Sequence, residues 1–129
     1  MTFIQRVKDL GLPLDQFVVI GSGLLDVYGL RSADDIDLVV SEPLYSSLKS
    51  RADYQEATKH GELYLTSDNV EVWQTWGSGH EFEVLLANAV VIDGIKFINP
   101  EQLIVKKIEL GRDKDLRDII LLEQYLHEH

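Results

Sequence analysis

The sequence predicts a mixed α+β domain, a small mixed sheet with helices packed mainly on one face. Three observations carry this. Apolar runs rich in β-branched residues fill Gln16 to Gly21 and Asp35 to Val40, alternating runs flank turn residues in the middle, and helical spacing dominates both ends. The whole chain of 129 residues is expected to form one domain, since that length buries a core without disulfides or structural metal.

The opening residues Thr2 to Gly11 form a short helix, with Thr2 as cap, Gln5 three residues on, and Phe3, Val7 and Leu10 on one face. The first strand follows at Gln16 to Gly21. Ser22 then caps a short helix that Gly29 stops, and Asp35 to Val40 is the second strand. Leu44 to Arg51 is helical. Glu62 to Thr66 and Val70 to Thr75 alternate about Ser-Asp-Asn, a hairpin pattern. The segment "HEFEVLLANA" is a helix, and Asp93-Gly94 between two β-branched runs is the strongest hairpin signal in the chain. Asn99 caps a helix with Pro100 at its first position and Gly111 at its end. The last helix runs from Asp113 to about Leu126, with Leu116, Ile119, Ile120 and Leu126 on one side.

Composition narrows the function. With no cysteine, thiolate nucleophiles and Cys-type zinc sites are excluded together. The 22 acidic and 12 basic side chains leave a formal charge of −10, the wrong sign for holding a large duplex by phosphate neutralisation. No window is apolar enough to span a membrane, and the N-terminus has no secretory pattern, so a cytoplasmic protein with no membrane partner is expected.

The informative stretch is "VVIGSGLLDVYGLRSADDIDLVV", Val18 to Val40. Gly21-Ser22-Gly23 lies between a strand end and a helix start, where glycine lets a backbone approach a phosphate and helical N–H groups can meet it. It is neither a P-loop nor a dinucleotide fingerprint. Downstream, Asp35 and Asp37 lie on one face of a strand, roughly 6–7 Å apart at their Cα atoms, while Ile36 and Leu38 enter the core. Such hard oxygen ligands suit Mg²⁺ or Mn²⁺ with phosphates completing the shell. Glu71 alternates with Val70 and Val72, so a neighbouring strand would set it beside the two aspartates. Three convergent carboxylates are suited to holding two divalent ions during in-line phosphoryl or nucleotidyl transfer.

Gly21-Ser22, twelve residues, then Asp35-Ile36-Asp37-Leu38 resembles the signature of the nucleotidyltransferase superfamily, the polymerase β-like fold. "YGLRSADDIDLVV" and "PEQLIVKKIELGRDKDLRDIILL" are similar to segments of its minimal bacterial branch, which includes AbiEii-type toxins; the likeness runs from about Phe17 to Leu122. The resemblance implies transfer of a nucleoside monophosphate from an NTP such as ATP to a hydroxyl acceptor, with two Mg²⁺ or Mn²⁺ ions. It implies metal binding and catalysis by Asp35, Asp37 and Glu71, and triphosphate binding by Gly21 and Ser22. Phosphate neutralisation would come from Lys106 or Lys107, Arg112 and Lys114. Asp115 and Asp118 match later acidic positions of the family, or else form a helix cap and a surface ion pair with Arg117. Ala33 stands where threonine is frequent, Ser22 where many relatives have a second glycine, and Glu71 where aspartate is commoner. The acceptor, a small molecule, tRNA or protein, is expected in the same cleft, on a homodimer partner, or on another subunit. The alternative is a non-catalytic module of the same fold, an antitoxin or subunit partner. Trp73, Trp76 and Tyr28 read as packing residues, and the four histidines as exposed or tail residues.

Overall fold

The computed structural model describes residues 1–129. Its order is α1 (Phe3–Lys8), β1 (Phe17–Ile20), α2 (Gly23–Val27), β2 (Ile36–Val40), α3 (Glu42–Lys49), β3 (Gln55–Lys59), β4 (Glu62–Ser67), β5 (Val70–Trp73), α4 (Phe82–Ala87), β6 (Val90–Ile92), β7 (Ile95–Phe97), α5 (Pro100–Leu110) and α6 (Asp113–Glu128). The fold is mixed α+β: one seven-stranded mixed sheet, ordered β3-β4-β5-β2-β1-β7-β6, with six helices.

Local chemistry explains the boundaries. The Thr2 hydroxyl accepts the Gln5 N–H, Ser41 accepts from Leu44, and Asn99 accepts from Gln102, so α1, α3 and α5 each start on a side-chain cap. Gly111 ends α5 in the left-handed region at φ 64°. Both expected hairpins are present, β4 with β5 and β6 with β7. The unforeseen strand is β3, an edge strand whose residues are mostly exposed and therefore lack an apolar signature.

All four residues of β1 are buried, as are Leu38, Val39 and Val40 of β2. Both faces of the sheet are thus buried at its centre. Phe17, Leu25, Leu38, Leu65, Phe97 and Leu122 are among the fully buried side chains of one continuous core.

Two strand pairings place the site. The β1–β2 pair is antiparallel and sets Asp37 opposite Ile20, the residue before Gly21. The β2–β5 pair is parallel and sets Glu71 beside Asp37. A parallel neighbour needs a long crossover, which α3 and the β3–β4 hairpin supply.

The last helix corrects the sequence reading. Asp115, Asp118, Ile119 and Leu122 face inward, whereas Leu116 and Ile120 are 50% and 57% exposed. His80 is also buried rather than exposed, and its Nε2 has no hydrogen-bond partner.

Candidate nucleotide and metal site

The glycines around Ser22 have separate tasks. Gly21 sits at φ 70°, and a Cβ there would lie 2.6 Å from Asp37 Oδ2. At Gly23 a Cβ would run into the Phe3 ring at 2.5 Å and into Val19 at 2.7 Å, so this glycine lets α2 lie against α1 and β1. Replacing Gly21 with alanine combines left-handed strain of about 1–2 kcal/mol with a clash on the Asp37 carboxylate. Gly21→Ala is expected to unfold at a lower temperature, read by thermal denaturation.

The loop leading into β2 is pinned from behind. The Arg6 guanidinium donates to the carbonyls of Ala33 (2.8 Å) and Asp34, and Asp26 accepts the Ala33 N–H at 2.7 Å. Asp35 follows as an exposed residue just before the strand, and Asp37 lies half-buried within it. Burial, then the charges of Glu71 and Asp35, push the Asp37 carboxyl up to about 6 from 3.8; Lys59 and Lys114 oppose that rise.

These residues line a cleft of about 810 Å³, walled on the sheet side by Gly21, Ser22, Asp35, Asp37 and Glu71 and on the helical side by Lys106, Lys107, Arg112, Lys114 and Arg117. Every site residue expected from the sequence therefore borders one cavity. Their states differ, however. Glu71 is already engaged: Lys59 Nζ donates to its two oxygens at 3.0 and 3.3 Å, and Trp73 Nε1 donates at 3.2 Å. No three Asp, Glu or His side chains stand close enough to share one ion. The donor set is all oxygen and fits a hard divalent cation. Gly21 leaves the space in front of Asp37 that such a ligand needs. Glu71 in this state does not join the two aspartates.

The helical wall also divides. Lys107 is 4% exposed, and its ammonium is bound to Asp118 at 2.9 Å and faces Asp115 at 3.6 Å, so its charge is used inside the protein. Arg112 grips Asp115 through two guanidinium bonds, 2.6 and 3.1 Å, while Asp115 accepts the Arg112 backbone N–H and so caps α6. Asp118 binds Arg31 and Lys107, not Arg117. Lys106 stands over the Trp76 ring at 5.5 Å, and Lys114 is exposed at the cleft. Lys106 also faces Glu109 at 3.8 Å, so Lys114 and Arg117 are the cleft cations without an ion pair, with Lys106 beside them.

Two residues escaped the sequence reading. Arg31 holds Asp118 with a 2.7 Å bidentate pair, and its third bond, 2.6 Å, is accepted by the Ser22 hydroxyl. Ser22 therefore does not cap α2 through its side chain; it is fastened to α6 instead. The signal was the arginine of "GLRSADD", within the quoted motif but without an assigned task. Lys59 left no signal, because its strand is polar and its partner lies two strands away.

Trp73 packs as expected, stacked on Tyr64 with ring centroids 4.5 Å apart. Tyr28 stacks on Tyr125 at 4.0 Å. No helix is long and apolar enough to cross a membrane. Comparison with family models, curated proteins and solved structures finds no match to the chain.

Proposed function

We propose that the protein is a nucleotidyltransferase of the polymerase β-like fold, transferring a nucleoside monophosphate from an NTP to a hydroxyl acceptor with Mg²⁺ or Mn²⁺. The observation that carries this reading is the register: parallel pairing sets Glu71 beside Asp37, and Gly21 turns in the left-handed region directly against the Asp37 carboxylate. A phosphate-sized group entering the cleft would meet the Gly21–Ser22 backbone on one side and Lys106 and Lys114 on the other.

Each residue has a task on this reading. Asp35 and Asp37 hold the divalent cation, which supplies charge neutralisation at the transferring phosphorus when bound. The cleft orients the NTP, with Gly21 permitting close approach and Arg31 fixing the Ser22 turn to α6. Asp37, which Lys59 does not engage, is the base best placed to accept the acceptor hydroxyl proton, while Lys59 keeps Glu71 occupied. Lys106 and Lys114 neutralise the pyrophosphate leaving group, so charge accumulates nowhere in the cleft.

Incubation with α-labelled NTPs and a panel of small alcohols, tRNA and protein acceptors tests the activity. Label is expected to move to one acceptor class in wild type, and Asp35→Asn, a substitution at an exposed position, is expected to lower the rate at least about 100-fold while leaving the fold intact. An unchanged rate in Asp35→Asn would remove the carboxylates from the chemistry. A second reading, a non-catalytic nucleotide-binding module acting as antitoxin or subunit partner, is favoured by one observation: Lys59 already neutralises Glu71. Metal-dependent NTP binding with no transfer to any acceptor would select it.

A further inference from the structure

Lys59 is the last residue of β3, at the sheet edge, and its side chain crosses β4 to reach β5. The path is paved by aromatic rings. Its ammonium lies 5.3 Å from the Tyr64 ring centroid and 6.0 Å from that of Trp73, and those two rings are stacked on each other. Attraction to this aromatic pair helps to hold the ammonium in place as it meets Glu71. Glu71 is correspondingly saturated: Oε2 receives Lys59, and Oε1 receives both Lys59 and the Trp73 indole N–H. A carboxylate engaged at both oxygens by two donor groups, one of them a cation, has little left to offer a second cation.

We propose that Lys59 is a built-in cation standing where a second divalent ion would otherwise bind at Glu71, so that the cleft takes one divalent ion, through Asp35 and Asp37, instead of two. The identity of that ion's intended companion, an NTP, rests on the function proposed above; the displacement of metal by Lys59 does not. Charge counting agrees with it. Asp35, Asp37 and Glu71 carry three negative charges and Lys59 returns one, leaving the charge that a single divalent ion neutralises. A second divalent ion would have to evict the ammonium from a carboxylate and two aromatic rings, and would leave the group of side chains positively overcharged.

Metal alone, without nucleotide, tests it. Mn²⁺ bound per chain is counted by the loss of the free-ion paramagnetic resonance signal for wild type, Lys59→Met and the double variant Lys59→Met, Glu71→Gln. Methionine keeps the unbranched apolar stem over Tyr64, and Lys59 is a surface residue, so the fold should survive; circular dichroism checks it. The expected result is one more Mn²⁺ per chain in Lys59→Met than in wild type, lost again in the double variant. The added ion should also change Trp73 emission in a Trp76→Phe background, because Trp73 is bonded to Glu71. Equal counts in wild type and Lys59→Met would overturn the proposal, and so would an extra ion that persists without Glu71. Failure of NTP binding would count against the proposed function and leave this comparison readable.

Discussion

Asp118→Ala is expected to destabilise the protein by about 3–5 kcal/mol, a large part of the roughly 5–15 kcal/mol available to a domain this size. Asp118 is 2% exposed and joins two elements otherwise far apart in sequence: Arg31, after α2, and Lys107 on α5. Burial pushes its carboxyl up, but the bonds from Arg31 and Lys107 outweigh that and hold it below the ordinary range. Removing it leaves Lys107 buried with only Asp115, at 3.6 Å. The cost is therefore that of a buried ammonium left with only a longer ion pair and no close hydrogen bond, not of one lost contact. Urea unfolding measures it. A double variant, Lys107→Met with Asp118→Leu, should recover much of the loss, since an apolar pair can replace a buried ion pair at little cost. A change under about 1 kcal/mol in Asp118→Ala would show that the buried network does not hold α6 to the cleft.

Asp37→Asn is expected to move stability and binding in opposite directions. The folded protein holds this carboxyl at about 6 against 3.8 in an ordinary setting, because burial and the charges of Glu71 and Asp35 disfavour ionisation. A raised acid contributes its stability fully below the unfolded value and loses it as pH climbs through the folded one. The protein without metal should therefore gain stability as pH falls from about 7 toward 4 on account of Asp37. At pH 7 the ionised group carries a penalty of about 1–3 kcal/mol, and asparagine removes it. Asp37→Asn should then melt several degrees higher than wild type at pH 7.5 in the absence of ligand, with a flatter acid limb. Metal binding needs the ionised form, so divalent-ion affinity in wild type should fall below about pH 6. Stability that is unchanged or lower in Asp37→Asn at pH 7.5 would contradict this balance.

How far the sequence could be read follows from the kind of signal each residue leaves. The β1 and β2 runs, the Asp93-Gly94 hairpin and the Asn99 cap were legible because local periodicity and turn chemistry decide them. Placing Glu71 next to Asp37 was legible because alternation fixes the face, and a one-residue slip would have exposed Val70 and Val72. The face of α6 was not. Hydrophobic spacing chose Leu116 and Ile120, while the structure turns Asp115 and Asp118 inward because Arg31, Lys107 and Arg112 converge there from three segments. A periodicity rule treats aspartate as a surface residue and cannot see cations arriving from elsewhere in the chain. Strand β3 fails for a similar reason: an exposed edge strand buries too little to leave an apolar pattern. Lys59 then stayed hidden with it, and so did the ion pair that separates Glu71 from the aspartates.

The central claim is that Asp37, the Gly21 turn and the facing lysines form a nucleotide–metal site. The direct measurement is calorimetric titration of the four NTPs in the presence of Mg²⁺ and in its absence, at pH 7.5, into wild type and Asp37→Asn. Binding of at least one NTP that requires Mg²⁺ in wild type, and a loss of at least about tenfold in affinity in the variant, about 1.4 kcal/mol, is the predicted result. Equal nucleotide binding with and without Mg²⁺, or equal binding by the two proteins, would contradict it.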